Sequence, residues 1–188
     1  MKKATLEYVY SKTVNFLERN KYGYIVIGGI AAGILGEPRF TGDVDIDILL
    51  NKNQISHFLN KAKKAGFKVN AKICKSRIKE SGTFQINCGS FHIDFIIAST
   101  AFEKEAFKRK QKLKLYGVKA YFPTPEDIVL LKIIPGRLQD LSDVEKIAAR
   151  HKAKLDTKYL ADWARRLSEE AQDMRIVNEL QKLLKQGK

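Results

Sequence analysis

The segment Asp43-Val44-Asp45-Ile46-Asp47 constrains this chain more than any other. Aspartate alternating with β-branched residues has period two, the mark of a strand with one polar and one apolar face. A strand over 43–50 turns all three carboxylates to one side and Val44, Ile46 and Ile48 to the other. Aspartate is a poor strand former and like charges on one face repel, so a fold keeps such a row where a cation sits against it. Hard divalent ions, magnesium above all, take oxygen ligands of this kind. The competing reading, a solvated face of an edge strand, is weakened by the surroundings. The chain is strongly basic, with 35 Lys and Arg against 21 Asp and Glu and a formal net charge of +14.

Two further features belong beside that run. Tyr24-Ile25-Val26-Ile27 reads as a short buried strand ending at Gly28-Gly29, and 30–35 as a small apolar helix stopped by Gly36-Glu37-Pro38. Glycines between strand and helix let a phosphate approach the backbone, where a helix N-terminus offers free N–H groups. Alone the feature is weak, since most such junctions are tight turns. The other is Asp94, a lone carboxylate in the apolar strand Phe91-His92-Ile93-Asp94-Phe95-Ile96. By itself it reads as solvent-facing; beside the first strand's carboxylates it becomes the expected third ligand.

The remaining pattern predicts helices over 2–20 and 53–65, then β segments over 67–73, 83–88 and 91–97. The last two form a hairpin through Cys88-Gly89-Ser90. A basic helix over 101–112 and a β pair at 113–115 and 118–122 follow. Beyond Pro123 everything reads as helix, opened by a Thr124 cap with Pro125 in the first turn and interrupted at Pro135-Gly136. Further helices are expected over 138–151, 157–168 and 171–185. The class is α+β: a small mixed sheet flanked by helices over 1–122, with a helical C-terminal region over 123–188. No apolar run is long enough for a bilayer span, and no secretory signal opens the chain. Cys74 and Cys88 lie far apart without metal-ligand spacing; a reduced, buried role favours a cytoplasmic location.

Gly28-Gly29, a short helix, Arg39-Phe40-Thr41-Gly42-Asp43-Val44-Asp45 and a later Asp94 together resemble the DNA polymerase β nucleotidyltransferase superfamily over roughly 22–150. The Arg-x-Thr-x-Asp-x-Asp spelling is similar to the small branch containing AbiEii-type toxin nucleotidyltransferases. The segment Thr124-Pro125-Glu126-Asp127-Ile128-Val129-Leu130-Leu131-Lys132, followed by Arg137, Asp140 and Asp143, resembles that branch's helical motifs. The resemblance implies a Mg2+-dependent (or Mn2+-dependent) transfer of a nucleoside monophosphate from an NTP to a hydroxyl. Asp43, Asp45 and Asp94 would hold two metal ions, with Asp94 at the nucleophile. Gly28 and Gly29 would contact the β- and γ-phosphates, and Lys132 the triphosphate. Arg39 and Thr41 would either order their loop or meet the nucleotide. Asp140 and Asp143 are expected to pair with Arg137 or cap a helix. The aspartate pair can also be read as Asp45 and Asp47; spacing from the glycines favours Asp43 and Asp45, leaving Asp47 a neighbour or spare ligand.

The basic balance favours a nucleic-acid acceptor such as tRNA, beside a protein or small-molecule acceptor. A toxin with an antitoxin partner would fit the branch. The stretch 104–114, with Lys104, Lys108, Arg109, Lys110, Lys112 and Lys114 beside Phe102 and Phe107, reads equally as a nucleic-acid track and a solvated helix face. His57 and His151 read as solvated and His92 as structural, while Tyr159 and Trp163 fit a packed helix face. A catalytically silent nucleotidyltransferase fold that binds nucleic acid or regulates is the alternative function. A metal-dependent phosphohydrolase is a weaker third, lacking a clustered His–Asp pair.

Overall fold

The computed structural model describes residues 4–186. Apolar positions at helical spacing make α1 (Leu6–Arg19), started by Thr5, whose hydroxyl accepts from the Tyr8 N–H. β1 (Gly23–Val26) and α2 (Gly28–Leu35) follow, so the glycine pair lies in the first turn of the helix. A loop leads to β2 (Val44–Leu49), which starts one residue after Asp43. Then come α3 (Lys52–Lys64), α4 (Ala71–Ser81), β3 (Thr83–Cys88), β4 (Phe91–Ile97) and α5 (Ala101–Arg109). A hairpin of β5 (Gln111–Leu115) and β6 (Val118–Phe122) precedes α6 (Pro125–Ile133), α7 (Leu138–His151), α8 (Thr157–Ala171) and α9 (Arg175–Gln186).

Two expectations give way. The strand over 67–73 is replaced by one isolated pairing of Lys68 with Asn87, after which the chain turns into α4. Asn70 decides the outcome: its side chain accepts from the Ile73 N–H, the N-cap bond that starts a helix where apolar alternation suggested a strand. His151, expected in solvent, is half-buried, with its Nε2 2.8 Å from the Leu35 carbonyl oxygen. His57 is exposed, and Trp163 packs on Phe102 as a helix-face residue should. Both cysteines are free and buried.

The principal sheet has the order β1-β2-β4-β3, with β2 and β4 parallel and both outer pairs antiparallel. This is the mixed sheet of the expected α+β class. One face carries Val26, Val44, Ile46, Ile93, Phe95 and Phe84 into the main core, where Phe84 and Phe95 stack at 4.8 Å. That apolar cluster continues without a break through α6–α9, taking in Ile133, Ile147, Leu160 and Leu180. On the opposite face Ile25 and Ile27 meet Ala98, Ala106 and Phe107 in a small second cluster. The carboxylates stand on this second face.

Candidate active site

Strand register brings the central pair together. Asp45 on β2 and Asp94 on β4 are direct partners across the parallel pairing, so both side chains leave the same face at the same level. On the far side of Asp94, β3 places Gln85 opposite it, and Gln85 Nε2 donates to Asp94 Oδ1 at 2.8 Å. One Asp94 oxygen is therefore fixed by a neutral donor. Asp43 precedes β2, half-buried, and Thr41 Oγ1 reaches its carbonyl oxygen at 3.5 Å.

The α2 N-terminus closes on this pair. A Cβ at Gly28, whose φ is +62°, would collide with the Asp45 carboxylate, and one at Gly29 would stand 2.7 Å from Thr41 Oγ1. Glycine is required at Gly28 because backbone and carboxylate are in contact, and at Gly29 because the Thr41 side chain lies against the backbone. Burial pushes the Asp45 pKa up, and repulsion from Asp94 and then Asp43 adds to it; the Gly29 N–H and the charge of Lys132 act the other way. Asp47 lies one pleat deeper beneath α5 and is 1% exposed, and among the described residues its Oδ1 has no hydrogen-bond partner. Burial, with repulsion from Glu103 and Asp45, raises it to about 8.

Beside this row sits a cationic knot. Arg39 grips Asp143 with two bonds of 2.7 and 2.8 Å. Lys132, only 6% exposed, lies 2.8 Å from Asp140 Oδ1 and 2.9 Å from Asp143 Oδ2. Asp140 and Asp143 thus pair with Lys132 and Arg39, not with Arg137 as expected. Burial alone would raise the Asp143 pKa, but the bonds from Arg39 and Lys132 bring it below the usual carboxylate value. Arg39 orders the loop before β2 by tying it to α7. Lys132 reaches Asp45 by its field while its ammonium is held by carboxylates.

Among the described residues, no three His, Cys, Asp or Glu side chains form a ready-made ion cage. The donor set nonetheless suits a hard divalent ion. Its atoms are carboxylate oxygens, their mutual repulsion at Asp45 is only partly offset by the Gly29 N–H and Lys132, and the Asp45 carboxylate packs directly on the Gly28 backbone. Sequence reading missed Gln85, although its signal was present. The Gly89-Ser90 turn fixes a hairpin register in which Gln85 faces Asp94.

The decisive comparison spans nearly the whole chain: residues 4–185 match the DUF6036 family, described as nucleotidyltransferases of unknown function. The chain belongs to that family. No curated protein matches it. Among solved structures, the lincosamide antibiotic adenylyltransferase LnuA, lincomycin-bound, is 14% identical with a TM-score of 0.55, covering 77% of this chain and 97% of its own. The antibiotic-resistance factor ANT(2'')-Ia is 12% identical with a TM-score of 0.60, covering 90% and 97%. An antigenic nucleotidyltransferase-like protein from Paracoccidioides brasiliensis is 16% identical with a TM-score of 0.50, covering 94% and 92%. At such identities the likeness is one of fold, and it agrees with the family in placing this DUF6036 member among nucleotidyltransferases. No helix among the described residues is long and apolar enough to cross a membrane.

Proposed function

We propose that this DUF6036 member transfers a nucleoside monophosphate from an NTP to a hydroxyl acceptor and releases pyrophosphate. The observation that carries the reading is the in-register Asp45–Asp94 pair facing a helix N-terminus whose first two residues, Gly28 and Gly29, have no room for a Cβ. Asp43, Asp45 and Asp94 would hold Mg2+, or Mn2+ in its place: Asp45 and Asp94 as the fixed pair, and Asp43 from the loop ahead of β2. Bound there, the ions would neutralise the triphosphate and lower the pKa of the attacking hydroxyl.

The chain's own groups do the rest. The Gly28–Gly29 turn would bring backbone against the β- and γ-phosphates with the helix dipole behind it, the Gly29 N–H passing from Asp45 to a phosphate oxygen. Arg39, tied to Asp143, and Thr41 steady the loop, and Lys132 would meet the triphosphate by exchanging its bonds to Asp140 and Asp143 for phosphate oxygens. The acceptor oxygen attacks the α-phosphorus, its proton passes to Asp94, and the bond to the β-phosphate oxygen breaks in line. Gln85 holds Asp94 so that one oxygen faces the incoming hydroxyl.

The acceptor is a tRNA or other RNA, a protein side chain, or a small molecule of the kind modified by the antibiotic adenylyltransferases that share the fold. A toxin role with an antitoxin partner fits the branch that the Arg39–Asp45 spelling resembles. A second reading is a silent fold used for nucleic-acid binding or regulation; the lack of a three-ligand cluster among the described residues favours it. The test is incubation with Mg2+, each α-labelled NTP and total tRNA beside an Asp43→Ala/Asp45→Ala control. Label reaching RNA or protein only with intact aspartates supports transfer. If no label moves and Mg2+–NTP leaves the melting temperature unchanged, the enzymatic reading fails and the silent fold stands.

A further inference from the structure

We infer that the exposed basic face of α4 and the strand-edge residue before it is the docking surface for a nucleic-acid strand, which it guides to Asp94. The inference rests on the nucleotidyl-transfer reading and names the acceptor class for the same site.

The direction of approach comes from sheet order. Gly28 follows β1, Asp45 stands on β2, Asp94 on β4 and Gln85 on the outermost strand, β3. In-line displacement puts leaving group and nucleophile on opposite sides of the reacting phosphorus. With pyrophosphate held at the β1–α2 end, the acceptor comes in from the opposite end, across the β3 edge.

That edge is covered by the segment 68–82, which holds five Lys or Arg and a single acid, Glu80: a net +4 of the chain's +14. The cover is attached beside the site. Lys68 pairs by backbone with Asn87, and Asn87 in turn bonds His92 at 2.7 Å. Cys74 donates through Sγ to the backbone oxygen of Gln85, the residue whose side chain holds Asp94. Cys74 is the only buried residue of α4. Lys72, Lys75 and Lys79 are exposed at helical spacing on one stripe, with Lys68 and Arg77 exposed nearby. Among the described residues none of these five is in an ion pair.

The other basic stretch, 104–114, is spent at four of its six cations, leaving Lys104 and Lys114 without an ion-pair partner among the described residues. Lys108 pairs with Glu105, Arg109 with Glu126 and Asp127, and Lys112 with Glu18, while Lys110 lies over the rings of Phe107 and Tyr121. Uncompensated positive charge is thus concentrated at the edge where the acceptor must arrive. A phosphate backbone is the chemistry that such a lysine stripe fits.

The test measures binding of fluorescein-labelled single-stranded RNA and DNA oligonucleotides by anisotropy across salt, for wild type, Lys72→Gln/Lys75→Gln/Lys79→Gln and a Lys104→Gln/Lys114→Gln control. The triple variant should bind about 10-fold or more weakly near 0.1 M salt, its salt slope lower by about 2, with the control near wild type. An RNA–DNA difference in the wild type identifies the natural strand. Equal binding and slope for triple variant and wild type would overturn the surface, as would polyglutamate competing as well as RNA, which would mark an acidic-protein site. Melting with Mg2+–NTP, run alongside, reports on the transferase reading alone. Stabilisation by nucleotide without oligonucleotide binding overturns only the surface; the reverse overturns the transferase reading, and with it the guiding of the strand to Asp94.

Discussion

Two groups of carboxylates stand side by side in this fold and are treated oppositely. In the knot, Asp143 meets Arg39 and Lys132, and Asp140 meets Lys132, at 2.7 to 2.9 Å. In the row, Asp45 and Asp94 face each other with one neutral donor, Gln85, between them and β3, and Asp47 is buried behind. The knot's charges are matched by the chain itself; the row's are not. A fold able to pair Asp143 with two cations had the means to pair Asp45, and the imbalance supports the proposal that the row takes a cation from outside.

The sharpest way to break this contrast is to remove one charge from each group. Asp45→Asn keeps the shape of the row and removes its repulsion. Transfer should fall by about 10^3-fold or more, roughly 4 kcal/mol of transition-state stabilisation, while the melting temperature in metal-free buffer stays level or rises. A melting temperature that drops with activity would mean that the row holds the fold together. Asp143→Ala should do the reverse to stability. It leaves the buried Lys132 with Asp140 alone and frees Arg39, and costs about 3 kcal/mol, read from urea unfolding. A loss below ~1 kcal/mol would show the knot to be an ornament of the fold.

Most of this architecture can be read along the chain where local chemistry decides. The period-two aspartates, the Gly89-Ser90 hairpin and the Thr124-Pro125 helix start each stand in the structure within a residue or two of their expected places. The segment after Gly66 was misread because Phe67, Val69 and Ile73 alternate like a strand, while one side-chain cap at Asn70 settles the matter. The knot was beyond sequence reading for another reason. Arg39 and Asp143 are 104 positions apart, and nothing local to either names its partner. Asp94 was found as a carboxylate, but its company was not: Gln85 is an ordinary polar residue until the hairpin register is counted.

Acidity separates the two groups with opposite signs. The Asp143 pKa is lowered, so its pairing contributes stability above the unfolded value near 4 and loses it as pH falls through the folded value. Asp47 is raised to about 8, so the folded state keeps a proton that the unfolded chain has released between about pH 4 and 8. Its contribution therefore falls as pH rises through that window. With EDTA present, Asp47→Asn should flatten the decline and raise the melting temperature at pH 8 by roughly 5 °C. A parallel pH curve in the variant would show that Asp47 ionises without cost.

The smallest expected effect tests how finely the row is set. Gln85→Leu removes the 2.8 Å bond to Asp94 Oδ1 while leaving the strand pairing intact. A neutral donor to a carboxylate contributes on the order of 1.4 kcal/mol, so transfer should slow about 10-fold. The loss should fall on kcat, and on the Mg2+ concentration needed for half-activation, with KM for the NTP unchanged, because Gln85 stands on the acceptor side of Asp94 and far from the glycine turn. Gln85→Asn has the donor but not the reach, and should behave like leucine. Gln85→Glu adds a charge to a row already short of partners, and should shift the Mg2+ dependence in the opposite direction to leucine. If all three variants alter KM for the NTP instead, Gln85 serves the nucleotide and the acceptor side of the row has been placed at the wrong end of the sheet.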